Sequence, residues 1–117
     1  MQYLLLLTYR PEDNTQEGTP EFEAEMRRWG ELNEEMRQAG VWRAAAGLKS
    51  EAATTVRAPQ GDVVVTDGPY AETKEVVFSF YIIDVEDLDA AIGWAAKTPA
   101  AKYGSIEIHP MDELELT

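Results

Sequence analysis

With 117 residues, 22 acidic side chains against 10 basic ones, no cysteine and a net charge of −12, the sequence describes one acidic domain without disulfides or thiolate metal sites. A chain of this length buries about 65% of its unfolded surface, so a core forms without covalent staples. The acid excess and the lack of a Lys/Arg cluster count against nucleic acid and anionic membrane as partners, and the opening apolar run of MQYLLLLTYRPED is too short for a membrane span or signal peptide. The expectation is a single domain over residues 1–117 in the cytoplasm.

Residues 3–9, YLLLLTY, are short, apolar and closed by Arg10 and Pro11, which predicts a strand. A polar loop follows to Gly18. Thr19 then supplies a capping oxygen, Pro20 a preset φ, and Glu21, Glu23 and Glu25 negative charge at the start of a helix. Phe22, Met26, Trp29 and Met36 form its apolar stripe, with Leu32 and Ala39 beside it, and Gly40 ends it. Residues 41–49 are a weaker strand. Residues 54–57 and 62–66, separated by APQG, predict a hairpin. VVFSFYIIDV, residues 76–85, is the strongest strand signal in the chain. Asp87 caps a second helix over residues 88–97, with Leu88, Ala91, Ile92 and Ala95 on one face and Pro99 beyond its end. Residues 103–110 alternate, placing Ile106 and Ile108 opposite Ser105, Glu107 and His109, and an acidic tail follows.

This order, β-α-β-(hairpin)-β-α-β, predicts a ferredoxin-like α+β fold: an antiparallel sheet with both helices on one face. Two of its strands are apolar on both faces. In the first, Tyr3, Leu5, Leu7 and Tyr9 oppose Leu4 and Leu6; in the fifth, Phe78, Phe80 and Ile82 oppose Val77, Tyr81, Ile83 and Val85. Helices cover one such set, and leaving the other in water forgoes roughly 1.5 to 3 kcal/mol for each large side chain. A homodimer paired sheet against sheet is therefore expected, with a small-molecule site in the space between the sheets.

The candidate chemistry gathers around TDGPYAETKE, residues 66–75. Asp67 is a candidate general acid or base, and also a natural turn former ahead of Gly68 and Pro69, which fix backbone shape. Tyr70 can stack on a ligand or fill the dimer seam. Glu72, Lys74 and Glu75 can act as a charge relay or lie as solvated surface. Ser79 and Tyr81 are expected to line the cavity. His109, the lone histidine, is the second candidate for proton transfer. No ligand spacing supports a metal, and no cofactor is expected.

TDGPYAETKE resembles the signature of the DGPF-type proteins in the YCII-related family, with Tyr70 at the usual Phe position. The opening MQYLLLLTY, the Ala39-Gly40 pair, TTVR at residues 54–57 and YIIDVEDLDAAIGWAAKTPAAKYGSIEIHP at residues 81–110 extend the likeness over nearly the whole chain. The resemblance implies a dimeric α+β barrel built from two ferredoxin-like units. It also implies a genomic association with sigma factors of the extracytoplasmic-function type, and in the wider family an activity through a His and Asp pair. Many relatives carry a Gly pair where this chain has Phe78 and Ser79, which implies a narrower pocket here. Two functions follow as expectations: a ligand-binding accessory protein, or a cofactor-free enzyme in which Asp67 and His109 exchange protons on a small organic substrate.

Overall fold

The computed structural model describes residues 1–13, 15–68 and 75–112. Six strands and two α-helices follow one another as β1 (Gln2–Tyr9), α1 (Pro20–Gln38), β2 (Trp42–Gly47), β3 (Thr54–Arg57), β4 (Val64–Asp67), β5 (Val76–Asp84), α2 (Leu88–Ala96) and β6 (Gly104–Pro110). Four of the strands form an antiparallel sheet in the order β2-β5-β1-β6. With the hairpin set aside, this is the ferredoxin-like order that the element pattern predicts. The two most apolar strands, β5 and β1, take the centre, where both edges are paired. The hairpin β3–β4 forms a separate two-stranded ribbon, and its second strand runs to Asp67 rather than ending at Thr66.

Both helices start where the sequence supplies a cap. The Thr19 hydroxyl oxygen accepts the Phe22 N–H at 3.2 Å, and an Asp87 carboxylate oxygen accepts the Ala90 N–H at 2.9 Å. Past the end of α1, Gly40 takes a φ of +73°, the left-handed geometry that closes a helix without a Cβ clash.

The core lies between the helices and one sheet face. Tyr3, Leu5 and Leu7 of β1 and Tyr81 and Ile83 of β5 pack there against Leu32 and Met36 of α1 and Ala91 and Ala95 of α2. The contacting face of α2 is narrower than the expected stripe: its Ala91 and Ala95 are buried, whereas its Leu88 and Ile92 are each 48% exposed. Small side chains bring the short helix close to the sheet, and the two larger ones beside them are left at its margin. A second correction concerns Phe78. Leu7 pairs with Ser79 but Thr8 pairs with Val77, so Phe78 is the extra residue of a β-bulge. Its ring meets Tyr9 and Trp29, on the helix side, instead of joining Phe80 and Ile82.

The other face of the sheet carries half-buried Leu4, Leu6, Phe80 and Ile82 in paired rows, with Ala44 and Ala46 on the β2 side and Glu107 and His109 on the β6 side. No helix among the described residues is long and apolar enough to cross a membrane.

Candidate functional site

Where the N-terminal half of α1 passes over the sheet, helix and strands diverge and leave a groove of about 650 Å³. Its size falls within the range of about 300–1,000 Å³ usual for small-ligand pockets. Rings make most of the wall. Tyr9 stands at 89° to Phe78 with centroids 4.6 Å apart, and at 88° to Tyr103 at 6.4 Å. Trp29 stands at 76° to Phe78 at 6.2 Å, and lies nearly parallel to Tyr81 at 6.3 Å. Edge-to-face pairs of this kind match the positive ring edge to the negative face of its neighbour and hold each ring in place.

One carboxylate is buried in this wall. Glu25 of α1 is only 7% exposed, and the Thr15 hydroxyl donates to its Oε2 at 3.2 Å. Tyr103 adjoins it. Burial raises the Tyr103 hydroxyl above the ordinary phenol value, and the Glu25 carboxylate raises it further against the opposing pull of Arg28. Tyr81, on the sheet floor, is pushed up to about 12 by burial, and its hydroxyl donates to Asn33 Oδ1 at 2.5 Å. At neutral pH both phenols therefore keep their protons. The groove thus places a carboxylate acceptor, Glu25, beside the Tyr103 phenol, with the Tyr81 hydroxyl engaged by Asn33, an arrangement suited to accepting a proton from a bound molecule.

Glu25 went unrecognised in the sequence, where it counted only as helix-start charge. The signal was there: Phe22, Glu25, Trp29, Leu32 and Met36 recur at three- and four-residue steps, and Glu25, Leu32 and Met36 are the buried residues of α1. Met26, expected in the stripe, is 49% exposed at the groove's edge.

Of the expected site residues, Ser79 and Tyr81 meet in this groove. The Ser79 hydroxyl donates to the Ala46 carbonyl at 3.1 Å, tying β5 to β2 beneath the site. The groove lies on the helix side of the sheet, opposite the face from which the inter-sheet space was expected. Asp67 and His109 belong to different sheets. Asp67 ends β4, exposed, opposite Thr54. His109 lies on β6 beside Leu4, on the helix-free face, with its Nε2 2.5 Å from Glu107 Oε1. Gly68 holds a φ of +100°, its N–H donating to the Ala53 carbonyl at 2.7 Å and its own carbonyl accepting from the Thr55 hydroxyl at 2.6 Å. That geometry sets the turn. Pro69, Tyr70 and Lys74 lie outside the described residues. At the end of the same loop, Glu75 Oε2 is 3.4 Å from both the Thr8 and the Ser105 hydroxyls. Among the described residues no group of His, Asp and Glu is arranged to hold a metal ion.

A model of the YCII-related domain matches residues 1–115. The chain belongs to the YCII-related family. An uncharacterized protein of Rhizobium meliloti (strain 1021) is 41% identical over 66 residues, which is 55% of this chain and 53% of that protein, so the chain matches about half the length of this relative. Among solved structures, 5-chloro-2-hydroxyhydroquinone dehydrochlorinase from Burkholderia phenoliruptrix AC1100, in complex with 2,5-dihydroxybenzoquinone, is similar in fold. The match covers 96% of this chain and 94% of that one, with a TM-score of 0.50 and 12% identity.

Proposed function

We propose that this family member binds a small organic molecule in the groove between α1 and the sheet, and takes a proton from it with Glu25 as acceptor, the Tyr103 phenol beside that carboxylate helping to hold it, without a cofactor. The observation that carries this reading is the buried Glu25 carboxylate in a cavity walled by rings, since burying a charge is costly unless neighbours or function retain it. The dehydrochlorinase of similar fold acts on a hydroxylated ring, and a ring of that size fits the volume here. A panel of small phenols, quinones and enolisable ketones, screened by thermal shift and then by turnover, tests the proposal. The expected result is binding by both the native protein and Glu25→Gln, with turnover reduced about a hundredfold or more in the variant. Undiminished turnover in Glu25→Gln sinks it.

A second reading is favoured by the helix-free face. We read its half-buried Leu4, Leu6, Phe80 and Ile82 as the proposed seam of a homodimer, in which His109 and Glu107 would border the covered space. In that assembly Asp67 and His109, which lie in different sheets of the single chain, would exchange protons. Loss of turnover in both Asp67→Asn and His109→Gln, with Glu25→Gln unaffected, would select it. Cytoplasmic location and an accessory role beside a sigma factor complete the proposal; sigma-dependent transcription unchanged by deletion of the gene removes that role.

A further inference from the structure

The charge and polarity of the groove narrow its ligand further than its size does. Of the groups that line it, three are carboxylates: Glu25 buried in the wall, Glu17 and Glu51 exposed at the rim. Among the described residues no Lys or Arg lines it. The remaining wall is largely aromatic, and an aromatic face is itself an electronegative surface that attracts a cation within about 6 Å of its centroid. Phe78 turns a corner of 89° from Tyr9 and 76° from Trp29, and Tyr103 turns one of 88° from Tyr9, so successive rings wall the space on more than one side.

From this combination we infer that the ligand of the groove is a small organic ammonium ion, an amine carried on a ring or short chain, with its cationic head against Glu25 and the ring walls. The inference rests on the reading of the groove as a ligand site and names the chemical class that enters it. An anionic ligand meets carboxylates at the rim and in the wall with no lining cation to pair with. A neutral ligand gains the burial of its ring but leaves Glu25 without a charged partner. An ammonium ion gains both, and Glu25 is then positioned to accept a proton from it. The phenols of Tyr81 and Tyr103, held neutral by burial, add no charge of their own.

Three compounds of one shape separate the classes: tyramine, a cation; 4-propylphenol, its neutral counterpart; and 3-(4-hydroxyphenyl)propionate, an anion. Isothermal titration of the native protein at low salt is expected to give tyramine at least about tenfold tighter binding than 4-propylphenol, with the propionate weakest. Glu25→Gln is expected to remove the tyramine preference and leave 4-propylphenol binding unchanged. If that variant fails to fold, raised salt replaces it: tyramine affinity must fall while that of 4-propylphenol holds. Equal or tighter binding of the neutral or anionic compound overturns the inference and leaves the groove as a ligand site for another class. Failure of all three to bind, or to perturb the Trp29 indole resonance, overturns both.

Discussion

Tyr81→Phe measures whether the protein holds a phenol neutral at the floor of the groove. Tyr81 is 3% exposed, donates to Asn33 at 2.5 Å, and has its ionisation raised from 10.0 to about 12 by burial, with Arg37 pulling the other way. Two units correspond to about 2.7 kcal/mol between the ionised and neutral forms, at about 1.36 kcal/mol each. The folded value lies above the unfolded one, so the contribution is intact below pH 10 and is lost as pH climbs toward 12. At about pH 11 the unfolded chain is about nine-tenths ionised at this residue and the folded chain about one-tenth, a loss of about 1.4 kcal/mol. Phenylalanine does not titrate. At neutral pH the variant lacks the hydrogen bond to Asn33 and is expected to be less stable by about 1 kcal/mol. Urea unfolding followed by circular dichroism from mildly to strongly alkaline pH should therefore give two curves that approach and cross near pH 11. Lysines and the other tyrosines titrate in both proteins and cancel in the difference. Parallel curves, with a constant gap at every pH, would show that burial does not raise this phenol and would remove Tyr81 as a neutral donor.

Gly104→Ala should be among the most damaging single methyl additions, because a Cβ there would stand 1.9 Å from the Thr8 carbonyl oxygen in the paired strand. Forcing β1 and β6 apart is expected to cost about 3 kcal/mol and lower the melting temperature by about 10 °C in a scanning calorimeter. Asp87→Ala removes the acceptor for the Ala90 N–H, and denaturant midpoints should register about 1 kcal/mol. Leu6→Asp, on the helix-free face beside Phe80 and Glu107, should leave the chain folded but convert a dimer to a single-chain particle in sedimentation velocity. An unchanged sedimentation coefficient would remove this face as a dimer seam.

The element order was legible because each boundary has a local physical cause: Thr19 and Asp87 cap, Gly40 stops, and the two-sided apolar runs of β1 and β5 demand the centre of the sheet. What escaped depended on geometry between elements. Phe78 reads by strict alternation as a partner of Phe80, and only the bulge opposite Leu7 and Thr8 turns its ring toward Trp29. Glu25 reads as a favourable charge near a helix start, and only the packing of Leu32 and Met36 fixes that face of α1 inward. Leu88, Ala91, Ile92 and Ala95 read as the apolar face of α2, and of these only the two alanines make the contact, since a nine-residue helix settles by closeness as much as by side-chain area. Ser79 and Tyr81 were expected in a cavity and do line one, although it faces α1. The loop that carries the family signature gave Asp67 and Gly68 to the ribbon.

The departures at Phe78 and Glu25 fall at one end of the molecule, and their grouping has a structural reason. Toward the start of β1 the sheet is regular, and Tyr3, Leu5 and Ile83 pack there with Met36, Ala91 and Ala95 into the dense part of the core. Toward its end the register slips at Thr8 and Gly104 lets the backbones approach unusually closely, while Tyr9, Phe78 and Tyr103 turn into the groove. Because α1 crosses the sheet, its later residues, Leu32 and Met36, fill the dense end, while its earlier ones, Phe22, Glu25 and Trp29, roof the open end. A bulge is an inexpensive way to re-aim one ring without disturbing a paired strand, and such devices concentrate beside functional sites. The same sheet thus anchors the fold at one end and spares a half-open, ring-lined space with a buried carboxylate at the other. Rigid strands hold the rings that a loop-built site would leave mobile. On that division of the sheet, substitutions at the dense end should change stability and leave ligand affinity alone, whereas Phe78→Leu should weaken binding at little cost to folding.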